Sequence, residues 1–413
     1  MNSAAKPVIS DIQIRGFRSL ADVSVQFSNP TFFVGRNGAG KSNITDAFSF
    51  LSDAMNSPLN WAIERRGGMQ ALCTKRADAQ LGTIAFLVKF GTLPPETMVR
   101  MPEDLNNSSR YSFEIKPLQN GSYEIIREQG IFEAPNRRSW FDLSGPMLRS
   151  NEYPYAVESG KRMQWLQTGS LVLPTLAGSD LGNMYRILRS VCVYGIEPAA
   201  LRSMQEPDAS PLLRTDGSNA ASIIEGLAAR RPDIIDQIVN LLRSVTADIE
   251  AIRTVKFANK RGLEFTLSCE GSRITFDAHS MSSGTLRALG LLLAILQERT
   301  PTLLAIEEPE NSMHPGATSV LVDLLKYACS KTQVLVTTQS PEVLDANWIE
   351  DKSLRVVSWE NGRTIITDVP PASKKALQSH LMTAGELFRS EALVPSQFAS
   401  SESRHTDFFI ELE

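Results

Sequence analysis

The sequence has 413 residues, of which 42% are hydrophobic and 21% are charged, and its formal net charge is −4. These proportions are typical of a soluble globular protein of two or three domains, or of one large domain with insertions. The acidic balance argues against a nucleic-acid binder that is basic over its whole surface, but it leaves room for a local basic patch.

Cysteine usage and hydropathy indicate a protein of the cell interior. The 4 cysteines are scattered without a C-x-x-C spacing, so the sequence indicates no zinc site or disulfide framework. Residues 1–7 lack the apolar run of a signal peptide, and the best apolar stretch, 289–296, is far shorter than the about 20 residues that cross a bilayer. We therefore expect a cytoplasmic protein that does not enter a membrane.

The chain begins with a predicted hairpin, a strand and a helix. In residues 8–27, hydrophobic and polar residues alternate on both sides of a glycine-containing turn, which predicts the hairpin. Arg18 and Ser19 in that turn either face the phosphates or adenine of a nucleotide or are simply exposed. The β-branched and aromatic run at 31–34 predicts a buried strand, and the apolar spacing in 42–55 predicts a helix.

A match to the phosphate-loop pattern G-x-x-x-x-G-K-[ST] lies between this strand and this helix. Its glycines let backbone N–H groups point toward an anion, and the helix start adds N–H groups and the positive end of the helix dipole. Lys41 supplies a charge for the β- and γ-phosphates, and the Ser42 hydroxyl is a predicted Mg²⁺ ligand. The residues predicted to bind ATP in this loop are Arg36, Asn37, Gly38, Ala39, Gly40, Lys41, Ser42 and Asn43.

The middle of the chain changes from strand-like to helix-like patterns. Alternating hydrophobic residues predict an antiparallel sheet over residues 83–132. Apolar residues at helical spacing in 220–229 and 232–245 then indicate a mainly helical region.

Two strands in the second half end in polar residues. The apolar run 302–306 is followed by Glu307 and Glu308, and the run 333–338 is followed by Gln339. Ligands of open α/β sheets bind at the carboxyl ends of the strands, so we expect these side chains to meet the phosphate loop. The helix predicted for 286–298 is apolar nearly all round and is therefore expected to be buried.

These polar strand ends have predicted chemical roles. Mg²⁺ prefers hard oxygen ligands, so Ser42 and Glu307 are the predicted metal ligands. Glu308 is predicted to be the catalytic base that polarises water beside the γ-phosphate. Gln339 is predicted to be catalytic too, since its amide can hold the attacking water or sense the γ-phosphate.

Taken in this order, the motifs resemble those of ABC-type ATPase heads of the SMC, RecF and OLD group, which includes AAA-type predicted ATPases of bacterial defence and repair operons. The similarity runs from residue 12 to about residue 345. The similar segments are the opening hairpin at 12–20, Walker A at 35–43, the signature motif at 282–286, Walker B at 306–310 and the D-loop at 310–315.

The resemblance implies an α/β fold, an ABC-type P-loop ATPase head with a mixed central sheet, an antiparallel β-subdomain and a helical insertion. We expect the N-terminal part of the head in residues 1–135 and the helical insertion in 136–250. The C-terminal part of the head is then expected in 251–370, followed by a tail in 371–413 that is a candidate for partner binding.

The resemblance also implies a mechanism. Two heads are expected to enclose two ATP molecules with Mg²⁺, with Walker A of one head facing the signature motif of the other. Ser282 and the Gly284 N–H group would contact the γ-phosphate from the opposite subunit, at the start of a helix, where anions are favoured. A homodimer or higher oligomer that depends on ATP follows from this arrangement.

The sequence departs from the family pattern at two positions. Glu307 stands where ABC enzymes generally have Asp, and Gln339 stands where the switch histidine usually lies. Because an amide does not titrate near neutral pH, these departures predict slow turnover. Gln129, after a predicted strand, is the candidate for the glutamine of the family's Q-loop.

Three functions are compatible with these features. The first is an ATP-dependent sensor or regulator in bacterial antiphage defence, with a separate effector such as a nuclease or toxin, because residues 342–413 carry no acidic cluster of a nuclease. The second is a RecF-like DNA-binding ATPase of repair or recombination. It requires the basic pairs Arg65–Arg66, Lys75–Arg76 and Arg230–Arg231 to line one face. A transporter-like ATPase subunit ranks last.

Overall fold

The computed structural model describes residues 6–75, 82–93, 109–145, 147–151, 169–311, 313, 315–394 and 407–412. The strands are β1 Lys6–Phe17, β2 Leu20–Gln26, β3 Thr31–Val34, β4 Ile84–Leu93, β5 Ser109–Pro117, β6 Tyr123–Ala134, β7 Arg137–Ser144, β8 Met147–Ser150, β9 Val191–Tyr194, β10 Ile249–Phe257, β11 Lys260–Cys269, β12 Ser272–Asp277, β13 Leu303–Glu307, β14 Gln333–Thr338, β15 Leu354–Glu360 and β16 Arg363–Thr367. The helices are α1 Lys41–Asn56, α2 Leu59–Glu64, α3 Met69–Leu72, α4 Gly182–Arg189, α5 Pro198–Arg202, α6 Ala220–Arg230, α7 Pro232–Leu242, α8 Ser283–Leu296, α9 Pro315–Lys331, α10 Pro341–Leu344, α11 Pro371–Gln378 and α12 Ala384–Arg389.

The central sheet has the strand order β16-β15-β3-β14-β13-β9. Its strands run parallel from β15 to β9, and β16 pairs antiparallel with β15 at the edge. Strands β3 and β14 are buried at every position, because their apolar runs pack against side chains on both faces of the sheet. The parallel register places the carboxyl ends of β3, β13 and β14 at one edge. This confirms the predicted mixed central sheet.

A second, antiparallel sheet has the order β2-β1-β4-β5-β6-β7-β8. Helix α1 lies between the two sheets, since its apolar residues share a core with residues of β1, β4 and β3. The rings of Phe50, Phe86 and Phe113 stack in this core, with centroids 5.6 and 5.3 Å apart. Full burial of a ring of this size contributes about 1.5–3 kcal/mol. The packing therefore holds α1 against the antiparallel sheet.

The antiparallel sheet continues through β7 and β8, past the domain boundary that the sequence placed after residue 135. Ser139 and Asp142 of β7 are buried polar residues, and they interrupt the hydrophobic alternation that marks a strand in the sequence. The helical region follows, with α6, α7, α8 and α9 packed on the far side of the central sheet.

Helix α8 is buried along almost its whole length, as its apolar composition predicts. It shares its core with α9 and with the central strands. Strands β10, β11 and β12 form a separate antiparallel sheet that leads into it. In the part of the chain that the structure describes, no helix is long and apolar enough to cross a membrane.

Candidate nucleotide site

The phosphate loop connects β3 to α1 through Gly38 and Gly40. Both glycines have positive φ angles, 79° and 99°, in the left-handed region that favours glycine. A Cβ atom at Gly40 would lie 1.9 Å from Oγ1 of Thr364, so a side chain cannot replace the hydrogen there. Among the described residues, no side chain caps the start of α1. The Asn43 N–H group donates to the Gly40 carbonyl oxygen at 3.0 Å, so the N–H groups of Lys41 and Ser42 are the ones available to a ligand.

Lys41 is folded back onto its own loop. Its ammonium group donates hydrogen bonds to the carbonyl oxygens of Gly35, at 2.8 Å, and Arg36, at 3.1 Å. The same group lies 3.5 Å from Oε1 of Glu308. Burial lowers the pKa of Lys41, and the neighbouring Glu308 carboxylate raises it. Phosphate oxygens offer this buried cation stronger partners than two carbonyl oxygens do.

The remaining loop residues differ in exposure. Arg36, Asn37, Gly38 and Ser42 are exposed, and Arg36 forms an ion pair with Glu391 beyond α12. Ala39 is buried. Ser42 stands in the first turn of α1 with its hydroxyl on the exposed side, where a metal–phosphate complex is expected.

Asn43 joins a polar cluster that supports the loop from below. Its side-chain amide donates to Oγ of Ser19 at 2.5 Å, and Ser19 shares a 2.6 Å hydroxyl–hydroxyl bond with Thr364 of β16. The Thr364 N–H group also donates to the Ser19 carbonyl oxygen at 2.9 Å. Arg18 forms an ion pair with Asp46 of α1 at 2.7 Å. The predicted hairpin turn therefore packs against the phosphate loop and the helix that follows it.

Glu307, at the end of β13, points toward α1. Its Oε1 accepts a hydrogen bond from the Thr45 hydroxyl, and Thr45 lies one turn after Ser42 on the same helix face. A Cβ atom at Gly195 would lie 3.4 Å from Oε2, so the glycine leaves that carboxylate oxygen room. Burial raises the pKa of Glu307, and Asp46 and Glu308 raise it further.

The donor chemistry here fits Mg²⁺. Ser42 and Glu307 offer hard oxygens on one side of α1, and phosphate oxygens usually supply further ligands. Among the described residues, no group of three or more His, Cys, Asp or Glu side chains forms a cage for a metal ion.

Glu308 follows β13 in a strained backbone conformation. Its φ angle is 38°, in the left-handed region that non-glycine residues rarely adopt. The Glu308 N–H group donates to the carbonyl oxygen of Thr337 at 2.9 Å, which ties this residue to the neighbouring strand. Its Oε2 accepts a 2.8 Å hydrogen bond from Asn311, and its Oε1 faces Lys41. The carboxylate is thus held beside the phosphate loop.

Glu310 connects this segment to the end of β14. Its Oε1 accepts hydrogen bonds from the Thr338 hydroxyl, at 2.7 Å, and the Gln339 N–H group, at 3.2 Å. Burial raises the pKa of Glu310. Its Oε2 is buried and has no hydrogen-bond partner in the described part of the chain. Glu310 therefore positions the backbone of Gln339 beside the two preceding glutamates.

The signature segment is built as a rigid helix start. The Ser282 hydroxyl accepts a 3.1 Å hydrogen bond from the Thr285 N–H group, which makes it the side-chain cap of α8. Arg202 donates to the Ser283 hydroxyl at 2.9 Å and to the Met281 carbonyl oxygen at 3.1 Å. Ser282 is exposed, and Gly284 is half-buried beside it. Within the described residues, the bonds formed by Ser282 do not reach the phosphate loop.

Arg287 of α8 links the signature helix to the Walker B segment. Its Nη1 lies 3.4 Å from the Glu308 carbonyl oxygen. Burial lowers the pKa of Arg287, and Glu310, Glu197 and Glu308 raise it. Its Nε is buried without a hydrogen-bond partner among the described residues. Buried polar atoms of this kind are usually satisfied by water or a ligand.

The two halves of this site match known protein families. Residues 8–130 match the family described as "AAA ATPase domain", and residues 185–345 match the family described as "AAA domain, putative AbiEii toxin, Type IV TA system". A search of curated proteins finds none that matches the sequence.

Solved structures of SMC heads share the whole fold. One is an SMC head bound to the C-terminal winged-helix domain of ScpA, with a TM-score of 0.55 and 14% identity over 89% of this chain and 99% of that one. Another is the SMC head of Pyrococcus furiosus with an extended coiled coil, bound to the C-terminal domain of ScpA. Its TM-score is 0.52 with 14% identity, over 91% of this chain and 99% of that one. This chain has the fold of an SMC-like, ABC-type ATPase head.

Several contacts of the head lie outside the predicted set of site residues. Thr45 bonds Glu307, Arg202 bonds Ser283 next to Ser282, and Thr364 bonds Ser19 of the hairpin turn. Of these three, sequence spacing signals only Thr45, one turn after Ser42. Arg287 is the charged residue of α8, a helix that is otherwise mostly apolar, and this pattern in the sequence could have marked it as a site residue. Ser312 and His314 of the predicted D-loop lie outside the described residues.

Gln129, the candidate for the Q-loop glutamine, lies away from the phosphate loop. Its side-chain amide forms hydrogen bonds with both the N–H and the carbonyl group of Ile410, at 3.1 and 2.9 Å. It lies on β6, on the face of the antiparallel sheet that points away from α1. The candidacy of Gln129 is therefore wrong, because its position along the sequence carried no information about which face it occupies.

The basic pairs of the head are largely neutralised within the chain. Arg66 forms ion pairs with Asp46 and Asp53, each at 2.8 Å. Arg65 also pairs with Asp53, Arg230 with Glu298 and Arg231 with Asp233. Arg76 lies outside the described residues. These ion pairs disfavour a continuous basic face for DNA, which the RecF-like alternative requires.

Proposed function

We propose that this chain binds ATP with Mg²⁺, dimerises around it, hydrolyses it slowly and thereby regulates a separate effector protein, in bacterial antiphage defence. The observation that carries the proposal is the meeting of Lys41, Glu307 and Glu308 at the carboxyl edge of the central sheet. These residues come from parts of the sequence separated by more than half of the chain, and the fold joins them at an uncapped helix start.

Each side chain has a defined task in this proposal. Lys41 leaves its two carbonyl partners to hold phosphate oxygens, and the N–H groups of α1 bind the phosphates from the other side. Mg²⁺ at Ser42 and Glu307 supplies positive charge that offsets the phosphates. Glu308 accepts the proton of the attacking water, a role that contributes about 10²–10⁴-fold to rate. Asn311 and Lys41 fix the orientation of its carboxylate.

The exposed start of α8 supports the proposed dimer. Ser282 and the N–H group of Gly284 lie at a helix N-terminus, where an anion is favoured. Arg202 holds this segment in place, so it is preformed for a phosphate. In our proposal that phosphate belongs to the ATP bound by a second copy, and ATP therefore stabilises the dimer.

The regulatory role rests on the comparisons. One matching family is described as a putative toxin of a type IV toxin–antitoxin system, which is a two-component arrangement. Two solved heads of similar fold are bound to a domain of another protein, ScpA. Both are consistent with an ATPase head that acts on a separate effector, such as a nuclease or toxin.

Replacement of the proposed base tests the core of this function. We expect Glu308→Gln to lower ATP turnover about 10²–10⁴-fold and to accumulate an ATP-bound dimer, because the amide accepts no proton. Light scattering after gel filtration measures the mass with and without ATP and Mg²⁺, and phosphate release measures turnover. The matched control is Glu124→Gln, a change at an exposed carboxylate of β6. A Glu308→Gln variant that stays monomeric in ATP and hydrolyses it normally contradicts the proposal.

A further inference from the structure

The outer face of the antiparallel sheet is covered by the end of the chain. Along β4, Phe86 and Val88 point toward α1, whereas Ala85 and Leu87 point to the opposite face. Ala85 and Leu87 are each only 1% exposed. Phe408 covers them, and Phe409 packs beside it. Residues 407–412 thus take the place that a packed helix or a second sheet would otherwise occupy.

Side chains of the sheet hold the backbone of this segment. Gln129 donates to the Ile410 carbonyl oxygen at 2.9 Å and accepts from the Ile410 N–H group at 3.1 Å. Such a two-point contact recognises the peptide backbone at one residue. Arg127 adds a 3.4 Å contact to the same carbonyl oxygen, and the buried Asp142 fixes Arg127 through bonds of 2.9 and 3.0 Å.

Arginine side chains recognise the two aromatic rings. The Arg15 guanidinium lies 4.7 Å from the centre of the Phe408 ring, and the Arg127 guanidinium lies 4.9 Å from that of Phe409. Cation–π contacts of this length are favourable, and more so where the groups are shielded from water. Each of the two phenylalanine rings therefore has one arginine side chain of the sheet in contact with it.

A further arginine, Arg110, binds the backbone at the start of segment 407–412. Arg110 donates to the carbonyl oxygen of Phe408 at 2.8 Å and to that of Asp407. Burial lowers the pKa of Arg110, and the Asp407 carboxylate raises it. With Glu411 also acidic, the peptide carries negative charge on both sides of its apolar residues, opposite the basic side chains of the sheet.

We propose that this outer sheet face is a peptide-binding site for a short segment that bends at two adjacent aromatic residues and has a carboxylate on each side of its apolar residues. The chain's own segment 407–412 is its ligand in cis. In the described residues this segment forms no strand of the sheet, and its recognition rests on side chains of β1, β4, β5 and β6. Such a ligand is exchangeable for a peptide of the same chemistry from outside.

Tethering sets the competition between the two ligands. Residues 395–406 separate the docked segment from the rest of the chain. Because the cis ligand belongs to the same chain, its docking is an intramolecular event that competes with a free peptide. A free peptide therefore binds the wild-type chain weakly, and it binds well once the cis ligand can no longer dock.

The test uses a fluorescein-labelled peptide with the sequence of residues 406–413 and the full-length chain, read by fluorescence anisotropy. We expect saturable binding to the double variant Phe408→Ala/Phe409→Ala, at least about tenfold tighter than to the wild-type chain. In the double-variant background, Gln129→Leu is expected to abolish binding, because it removes both bonds to the peptide backbone. Arg15→Ala, at an exposed side chain, is expected to weaken binding two- to fivefold, in the range of about one exposed cation–π contact.

The controls separate recognition from general stickiness. A peptide in which serine replaces both phenylalanines is expected not to bind, and Arg253→Ala, at an exposed arginine of β10, is expected to leave binding unchanged. Peptide binding that is equal in the wild-type and double-variant chains contradicts the proposal. So does the absence of saturable binding to the double variant. The proposal is also overturned if Arg15→Ala and Gln129→Leu, each made in the double-variant background, both bind the peptide with unchanged affinity. Arg15 is exposed, so its replacement tests recognition even if Gln129→Leu is less stable.

Discussion

The starts of α1 and α8 are both helix N-termini that face a predicted nucleotide, yet they are built in opposite ways. Helix α1 begins after Gly40, and no side chain among the described residues caps it. Helix α8 begins after Ser282, whose hydroxyl caps the helix through the Thr285 N–H group. The first helix start thus presents backbone N–H groups, whereas the second presents a capped, exposed serine.

This difference indicates which half of the site is complete in one chain. The start of α1 is surrounded by Lys41, Glu307 and Glu308 and is supported by Thr364 from the far end of the sequence. In the described part of the chain, the Ser282 hydroxyl bonds to Thr285 in its own helix and not to that cluster. We infer that the first helix start binds ATP in a single chain, and that the second adds contacts when another chain supplies the phosphate.

Among the changes considered, replacement of Lys41 in the phosphate loop is expected to have the largest effect on ATP binding at the start of α1. Lys41→Ala removes the buried cation that we propose binds the phosphates, and hydrogen bonds to charged groups contribute about 1.5–3 kcal/mol each. With two such bonds, ATP affinity is expected to fall at least about 100-fold. Titration with a fluorescent ATP analogue measures it, with Lys260→Ala at an exposed lysine as control. Retained affinity in Lys41→Ala contradicts the assignment of the loop.

A charge at the second helix start sharpens the contrast. Ser282→Asp keeps a good helix cap but, in the proposed dimer, places a carboxylate against the γ-phosphate held by the opposite subunit. At about 4 Å and an effective dielectric of about 20, two unit charges repel by roughly 4 kcal/mol. We expect ATP-dependent dimerisation and turnover to fall at least about 100-fold.

Nucleotide binding by the monomer separates the two helix starts in the same variant. ATP affinity of Ser282→Asp at low protein concentration is expected to stay near that of the wild-type chain, since the α1 site is untouched. Ser282→Asn, a neutral residue that also caps helices, is the matched control. A Ser282→Asp variant that dimerises normally in ATP shows that this helix start does not meet the nucleotide.

Replacement of Arg287, which connects α8 to the segment after β13, is expected to have an intermediate effect. Arg287→Gln removes the guanidinium that faces Glu308 and Glu310. We expect turnover to fall about tenfold at unchanged ATP affinity, in the range of a lost hydrogen bond to a charged group. The loss is expected to be greater at pH 6 than at pH 8. Without the arginine the pKa of Glu310 rises further, and its protonated fraction is largest at low pH.

A pH profile that shifts in parallel with the wild type argues against this positioning role for Arg287. Arg287→Lys is the conservative variant, and it is expected to restore part of the activity because it restores the positive charge.

Support of the phosphate loop from β16 is expected to give the smallest effect. Thr364→Val keeps the shape of the side chain but removes the hydroxyl that bonds Ser19 at 2.6 Å. We expect the free energy of unfolding to fall by about 1 kcal/mol and ATP affinity to fall about threefold. Thr367→Val in the same strand is the control, since the Thr367 hydroxyl is buried without a partner among the described residues. Equal effects of the two changes on denaturant unfolding contradict a role for this contact.

The sequence predicted those parts of the site that depend on local patterns. Apolar runs that end in polar residues mark the ends of β3, β13 and β14, and strands buried on both faces converge at one edge of a parallel sheet. Glycine spacing marks the phosphate loop, because backbone N–H groups can point toward an anion only in conformations that glycine adopts readily.

The parts that the sequence could not predict depend on contacts between distant residues. The Ser19–Thr364 bond joins residues 345 positions apart, and the Gln129–Ile410 bonds join residues 281 positions apart. No periodicity connects such positions, so the sequence offered Gln129 as a candidate for the Q-loop glutamine although its side chain bonds Ile410. The strand β7 was missed because its buried residues include Ser139 and Asp142, which break the hydrophobic alternation.

The most direct test of the dimer is a structure of Glu308→Gln with ATP and Mg²⁺, from crystals or by electron cryomicroscopy. We predict two copies in which the Ser282 hydroxyl of one lies within hydrogen-bond distance of the γ-phosphate held by Lys41 of the other. A nucleotide-loaded structure in which Ser282 is remote from every γ-phosphate, in its own chain and in any neighbouring copy, contradicts the account.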